Sequence, residues 1–244
     1  MKLDLFAISR RGGRSHNEDY CGYVKGPSGC FVCLADGLGG HVGGQTASRI
    51  AVTAALSSAA SDIASGPKAA LTNAIEAAQS QLIERQREEP QLKHMRTTIT
   101  AMMIAPSGDI SYAHVGDSRI YIFRDDTLYR RTYDHSLPQV MVNTGNLKEE
   151  EIRFNENRNH LLQSLGDAKA MQPDYGEIMK VKNGDVILLC SDGFWEYVLE
   201  DDMQRLLSRT TKAKRWVTSM EDLLLEKALN DKNDNYSALA VFVR

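Results

Sequence analysis

The chain has 244 residues, of which 42% are hydrophobic and 25% are charged, with a formal net charge of −3. This composition excludes disordered and collagen-like classes, and the length suits one large domain or two small ones. The near-neutral charge gives no sign of a nucleic-acid or anionic-membrane partner. Residues 1–11 lack the apolar core of a signal peptide, and no apolar run approaches the ~18–20 residues of a membrane span, so we expect a cytoplasmic protein.

Short strand-like segments alternate with a few longer helical patterns. The expected strands are residues 3–9, 20–24, 30–35, 98–105, 110–115, 120–124, 177–181, 185–190 and 237–243. The turn pairs Ser107-Gly108, Asp125-Asp126 and Asn183-Gly184 predict hairpins between neighbouring strands. Hairpins favour antiparallel sheets over a parallel sheet with crossover helices.

Three helices are expected. Two lie between residues 42 and 87 and are separated at Gly66-Pro67, since proline suits a first helical position. Apolar residues recur at helical spacing between Leu71 and Ile83 and predict one buried stripe. A third helix is expected at about 212–229. Helices covering antiparallel sheets give an α+β layered fold.

Cys30 and Cys33 form a C-x-x-C pair, a spacing that also occurs in redox and zinc sites. Strand periodicity places the two thiols on opposite faces of their apolar segment. The chain has no second C-x-x-C to complete a zinc site. We therefore interpret both cysteines as buried free thiols.

Four aspartates stand at the ends of expected strands. Asp36, Asp117 and Asp192 each follow a strand, and Asp234 precedes the last one. One such aspartate alone is commonly turn chemistry. Carboxylates gathered at one sheet edge repel each other unless cations lie between them, and an all-oxygen donor set selects Mg²⁺ or Mn²⁺. Two such ions can activate water for attack on phosphorus.

A glycine-rich segment, residues 36–44, follows a strand and opens a helix. The dinucleotide-binding fingerprint is excluded because the third required glycine is replaced by Val42. We expect instead that the glycines let the backbone approach an ion or phosphate closely, with the Gly37 carbonyl beside Asp36. His41 has several interpretations, as a zinc ligand, a general acid or a hydrogen-bonding residue at the helix start.

Arg14 comes shortly before two acidic residues, Glu18 and Asp19. A basic cluster near a terminus is commonly a solvated face. A guanidinium fork also suits a phosphate dianion, and we expect Glu18 and Asp19 to hold metal-bound waters.

Eight motifs occur in order along nearly the whole chain. They are Arg14-x-x-Asn17-Glu18-Asp19, Ala35-Asp36-Gly37-Leu38-Gly39-Gly40-His41, Thr97-Thr98-x-Thr100-Ala101, His114-Val115-Gly116-Asp117-Ser118-Arg119, Asp134-His135-Ser136-Leu137, Ser164-Leu165-Gly166, Leu189-Cys190-Ser191-Asp192-Gly193 and Asp234-Asn235. Together they resemble the metal-dependent serine/threonine protein phosphatase family of the 2C type. The compact length and the D-G-x-G-G-H form resemble its bacterial branch.

The resemblance implies a four-layer α-β-β-α sandwich, with two central antiparallel β-sheets flanked by helices. It implies a single phosphatase domain over residues 1–244. Residues 137–160 would form a mobile flap beside the site that influences substrate choice.

The resemblance also implies a metal site. Asp36 would bridge two Mn²⁺ or Mg²⁺ ions, with the Gly37 carbonyl on the second. Asp192 and Asp234 would complete the first, and Asp117 would join Asp192 on a third, weaker ion known in bacterial relatives.

Around the metals, the resemblance implies that Arg14 binds the substrate phosphate. It also implies that Thr98, Asn235 and His41 support the site. Leu38 stands where the eukaryotic branch has the histidine proposed as general acid. The leaving group is then protonated by a metal-bound water or another group, for which His41 is a candidate.

The function implied is hydrolysis of phosphoserine and phosphothreonine in proteins by a binuclear Mn²⁺- or Mg²⁺-activated water, without a phosphoenzyme. No cysteine is followed six positions later by arginine, so the thiolate loop of tyrosine phosphatases is absent. Two alternatives are a phosphoprotein-binding pseudophosphatase module and a hydrolase of small phosphate esters. The expected partners are phosphorylated proteins, substrates of a cognate Ser/Thr kinase. The sequence carries no signal for oligomeric state.

Overall fold

Two antiparallel sheets form the centre of the molecule in a computed structural model that describes residues 1–38, 42–62, 66–167, 171–228 and 233–244. The first sheet has, in spatial order, Leu3–Arg10 (β1), Tyr236–Val243 (β12), Val186–Cys190 (β11), Arg119–Arg124 (β7) and Thr127–Arg131 (β8). The second has Met179–Lys180 (β10), Asp109–Val115 (β6), Ile99–Ile104 (β5), Gly29–Leu38 (β3) and Asp19–Gly26 (β2). Two short strands pair with β3 and β6, namely Arg96–Thr97 (β4) and Asp174–Tyr175 (β9).

Helices cover the outer face of each sheet. Val42–Asp62 (α1) and Pro67–Glu88 (α2) pack on the second sheet, and Glu200–Leu207 (α5) and Ala213–Lys227 (α6) pack on the first. Two shorter helices are Leu137–Asn143 (α3) and Asp192–Trp195 (α4). The predicted four-layer α-β-β-α sandwich is confirmed. No helix among the described residues is long and apolar enough to cross a bilayer.

The central strands are apolar on both faces because each lies between two core layers. In β3, Cys30 packs into the core between the sheets, whereas Cys33 packs against the helices, as strand periodicity predicts. The strand β12 alternates in the same way, with Leu239 facing the other sheet and Ala240 facing α6 and its neighbours. All four cysteines are free thiols.

Two predicted hairpins differ in outcome. Asp125 and Asp126 have φ of 52° and 59°, and they turn the chain between β7 and β8. Asn183-Gly184 was expected to close a hairpin, and this expectation is wrong: β10 and β11 lie in different sheets. The turn therefore carries the chain across the sandwich.

A buried ion pair holds the loop after β8 against β7. The Arg119 guanidinium donates two hydrogen bonds to Asp134, at 2.8 and 2.7 Å, and both side chains are almost fully buried. The guanidinium also lies 3.5 Å from the ring centroid of Trp195. The pair therefore ties β7 to the loop and to α4.

Replacing Asp134 by alanine is expected to lower the free energy of unfolding by about 3–5 kcal/mol, because it leaves the buried Arg119 charge with only the Glu200 carboxylate, 3.8 Å away. Urea unfolding measures this. The control is Glu88→Ala, which removes an exposed pair with Arg85 and should cost less than about 1 kcal/mol. Equal losses in the two variants would contradict this view of the pair.

Candidate active site at the end of the sandwich

Strands from both sheets deliver acidic residues to one end of the sandwich. The strands β3, β6 and β11 each run toward this end, and β12 starts from it. A cavity of about 300 Å³ opens there. Eight residues proposed from the sequence line it, namely Arg14, Glu18, Asp36, Gly37, Asp117, Asp192, Asp234 and Asn235. His41 lies outside the described residues.

The four aspartates predicted at strand ends therefore do converge. Burial raises the pKa of Asp36 and of Asp117 well above the usual range, and neighbouring carboxylates raise both further. Burial also raises the pKa of Asp192, with Asp234 as the next cause. The Asp36 and Asp192 carboxylates lie close enough together that each changes the pKa of the other. The carboxylates in such a cluster repel one another when ionised, and bound divalent cations would reduce this repulsion. The all-oxygen donor set suits Mn²⁺ or Mg²⁺.

Asp19 adds a fifth aspartate beneath the cavity. It is 4% exposed and stands opposite Asp36 in the pairing of β2 with β3. The Ser191 hydroxyl donates to Asp19 Oδ2 at 2.7 Å, whereas Oδ1 has no hydrogen-bond partner in the described part of the chain. Burial raises the pKa of Asp19 to about 7. An unpartnered buried carboxylate oxygen is a further sign that this region suits cations or the water they hold.

Gly37 brings two backbone segments into contact beside the cavity. A Cβ at this position would overlap the carbonyl of Gly44 in α1 and would press on the carbonyl of Glu18. The Gly37 amide donates to that Glu18 carbonyl at 3.1 Å. Gly37 thus allows close approach between β3, α1 and the residue before β2, whereas the sequence analysis expected approach to an ion or phosphate. Gly39 and Gly40 lie outside the described residues.

Two threonines fix the backbone of Asp36. The Asp36 amide donates to Thr98 Oγ1 at 2.9 Å, and the Thr98 amide donates to the Asp36 carbonyl at 2.8 Å. The Thr97 hydroxyl donates to the same carbonyl at 2.7 Å. Thr98 Oγ1 also lies 2.8 Å from the Ser118 hydroxyl, next to Asp117. Thr98 therefore supports both carboxylates.

Asn235 connects the N-terminal loop to the last strand. Its side-chain amide donates to the carbonyls of Arg11 and His16, at 2.7 and 2.8 Å, and its Oδ1 accepts from the Glu18 amide at 2.8 Å. These contacts set the position of Arg14 relative to Asp234.

Arg14 lies at the rim of the cavity and makes a two-pronged ion pair with Asp234. Its Nε and Nη2 donate to the two carboxylate oxygens at 2.9 and 2.7 Å, which raises the pKa of Arg14 above its usual value. The side chains are 56% and 40% exposed, so the cavity opens to solvent on this side. The sequence placed these residues at one site but did not predict their pairing.

Several residues at the site were not predicted from the sequence. Asn159, at the end of the segment 137–160, and Leu161, directly after it, line the cavity. An isolated β-bridge between Ser136 and Leu161 joins the two ends of this segment. The Trp195 indole donates to the Asp117 carbonyl at 2.9 Å. Only Ser191 carried a local signal, since a hydroxyl between a buried strand and Asp192 suits a buried hydrogen bond.

Comparisons with known proteins agree with this architecture. A family model described as protein phosphatase 2C matches residues 9–231. The serine/threonine phosphatase stp of Listeria welshimeri is 32% identical over 243 residues, covering 97% of this chain and 94% of the relative.

Solved structures of similar shape include the serine/threonine phosphatase PstP/Ppp of Mycobacterium tuberculosis, with a TM-score of 0.84, 28% identity and full coverage of both chains. A PstP catalytic domain in complex with two manganese ions has a TM-score of 0.82 and 28% identity over 99% of both chains. On the match of sequence, fold and acidic cavity, the chain belongs to the protein phosphatase 2C family.

Proposed function

We propose that this chain removes phosphate from phosphoserine and phosphothreonine in proteins, as one phosphatase domain spanning residues 1–244. The observation that carries the proposal is the convergence of Asp36, Asp117, Asp192 and Asp234 around one solvent-open cavity. The relatives named as serine/threonine phosphatases support the substrate class.

Asp36, the Gly37 carbonyl, Asp192 and Asp234 are the groups we propose to hold two Mn²⁺ or Mg²⁺ ions, with Asp117 and Asp192 able to hold a third. The manganese complex of the related PstP domain supports the choice of ion. When bound, the ions supply Lewis-acid charge that lowers the pKa of water and offsets charge on the phosphoryl group.

The chain's own residues position the substrate. Arg14 presents a planar fork whose spacing matches two phosphate oxygens, and to bind them it must give up hydrogen bonds to Asp234. Glu18 and Asp19 stand beside Gly37 and Asp36, where their carboxylates can accept hydrogen bonds from water. Asn235 holds the loop that carries Arg14 and Glu18. In this scheme the phosphoryl group goes directly to water, and no cysteine thiol is among the described residues that line the cavity.

The open rim argues against an enzyme for small phosphate esters. Such an enzyme encloses its substrate, whereas Arg14 and Asp234 are substantially exposed. A binding module without activity is disfavoured because all the ligand aspartates are present. We further propose that the substrates are products of a cognate Ser/Thr kinase, that the protein acts in the cytoplasm and that residues 137–160 form the flap beside the substrate.

Phosphate release from a phosphothreonine peptide, compared with release from nucleoside monophosphates at equal concentration, tests the substrate class. We expect Mn²⁺-dependent turnover of the peptide to be at least about tenfold faster than turnover of the nucleotides. We also expect EDTA to abolish peptide turnover. Faster turnover of the nucleotides would favour the small-ester alternative, and turnover unaffected by EDTA would exclude the metal mechanism.

Replacing Thr98 by valine is expected to raise the Mn²⁺ concentration for half-maximal activity by about tenfold. The buried Asp36 amide loses its acceptor, a cost of about 1–3 kcal/mol, and about 1.4 kcal/mol corresponds to tenfold. Titration of activity with Mn²⁺ measures this. Thr98→Ser keeps the hydroxyl, and its Mn²⁺ concentration for half-maximal activity should stay near that of the wild type. The same Mn²⁺ requirement in both variants would show that the hydroxyl does not support the site.

A further inference from the structure

A second set of metal-ligating side chains lies outside the catalytic cavity. It comprises His114 in β6, His135 in the loop after β8, and Asp174 in β9. One potential ligand atom of each lies within 4.8 Å of those of the other two. None of the three is among the described residues that line the catalytic cavity. Nothing in the phosphatase mechanism uses them.

The two imidazole rings are stacked and buried. Their centroids are 4.6 Å apart, and His114 is 3% exposed. His114 Nε2 lies 2.8 Å from the carbonyl of Tyr133, so Nε2 carries the ring proton and donates it. The other nitrogen, Nδ1, then presents a lone pair. It is buried and makes no hydrogen bond within the described residues. Burial, followed by the neighbouring His135, lowers the pKa of His114, which keeps the ring neutral as a ligand must be.

His135 faces the third member of the set. Its Nε2 lies 3.3 Å from Asp174 Oδ2, yet this buried nitrogen forms no hydrogen bond in the described part of the chain. On the other side of the ring, Nδ1 accepts from the Gly116 amide over a long 3.3 Å. The Asp174 side chain is 68% exposed, so the set opens to solvent through its carboxylate.

We propose that His114, His135 and Asp174 bind one transition-metal cation of the Zn²⁺ type, separately from the catalytic ions. Two imidazoles and a carboxylate form a donor set that favours Zn²⁺ over Mg²⁺, and three protein ligands leave a position for water. The hydrogen bond from His114 Nε2 to a backbone carbonyl is the support that a ligating histidine requires. When Nε2 of His135 becomes a ligand, the ring proton moves to Nδ1, which gives up the long contact with Gly116.

Such an ion would join three segments that meet beside the flap. The His135 amide donates to the Gly116 carbonyl at 2.9 Å, and the His135 carbonyl accepts from the Leu162 amide at 2.8 Å. The ligands therefore lie in β6, in β9 and at His135. His135 contacts Gly116, which precedes Asp117, and Leu162, which follows the flap. Zn²⁺ should raise the thermal midpoint of the protein by binding the folded state alone.

Calorimetric titration with Zn²⁺ tests the proposal, using protein saturated with Mg²⁺ so that the oxygen-rich site is filled. We expect one Zn²⁺ per chain in the wild type, and at least tenfold weaker binding in Asp174→Asn and His135→Gln. Asp174 is exposed, so its variant should keep the wild-type circular dichroism even if the histidine variant does not. Glu177→Gln alters an exposed carboxylate three residues away and should bind Zn²⁺ like the wild type.

Co²⁺ provides a second probe under the same conditions, because its visible absorption reports the ligand geometry. We expect bands of a four- or five-coordinate site in the wild type and in Glu177→Gln, and their loss in Asp174→Asn. Zn²⁺ affinity and Co²⁺ bands unchanged in Asp174→Asn, or no Zn²⁺ bound to the wild type, would overturn the proposal. Neither readout depends on phosphatase activity.

Discussion

Replacing Asp192 or Asp36 by asparagine should lower Mn²⁺-dependent hydrolysis of p-nitrophenyl phosphate by at least about 10³-fold. An amide offers a neutral, weaker ligand, and losing an ion removes several kcal/mol of charge stabilisation from the transition state. A factor of 10³ corresponds to about 4 kcal/mol. The measurement is kcat/KM with saturating Mn²⁺.

Folding and catalysis can be separated in the same variants. Because the carboxylates repel one another in the metal-free protein, Asp36→Asn should leave its free energy of unfolding unchanged or higher. The control Asp222→Asn changes an exposed carboxylate on α6 and should keep full activity. Near wild-type activity in Asp36→Asn or Asp192→Asn would refute the assignment of these ligands.

The metal-free protein should become less stable as the pH rises from about 4 to 7 and beyond. Asp19, Asp36, Asp117 and Asp192 all have pKa values raised on folding, chiefly by burial. The folded chain therefore binds more protons than the unfolded chain in this range, and the stabilisation present below the unfolded pKa is lost as these groups ionise. With the Asp19 pKa at about 7, ionisation of that residue alone lowers the free energy of unfolding by on the order of 4 kcal/mol at high pH.

Urea unfolding of metal-stripped protein between pH 5 and 8 measures this dependence. Asp19→Asn should flatten it, and added Mg²⁺ should oppose the loss at high pH because the cations neutralise the cluster. A metal-free stability that rises between pH 5 and 8 would contradict the proposed electrostatics.

The central architecture was predictable because its signals are local. A strand that is apolar on both faces, such as Gly29–Leu38, must lie between two core layers, and turn chemistry at Asp125-Asp126 indicates a hairpin. An edge strand with polar residues, Thr127–Arg131, has no such signal and was missed, as were the short helices. Asn183-Gly184 has hairpin composition, but only tertiary structure decides that it connects two sheets.

The candidate site also combines features that have local sequence signals with features that only the tertiary structure determines. Aspartates at strand ends were predictable, since strands running to one edge deliver their last residues together. The contacts that tune them join residues far apart in sequence, such as Arg14 with Asp234, Ser191 with Asp19, and Asn159 with the cavity. The stacked His114–His135 pair likewise depends on how β6 meets the loop after β8.

We propose that the aspartates at this end of the sandwich hold two divalent cations. Counting bound Mn²⁺ by electron paramagnetic resonance of the free ion tests it without any substrate. We predict at least two Mn²⁺ per wild-type chain, and at least tenfold weaker binding of both in Asp36→Asn, because that carboxylate would bridge them. Two Mn²⁺ bound with unchanged affinity in Asp36→Asn would contradict the assignment of Asp36 as a ligand of both ions.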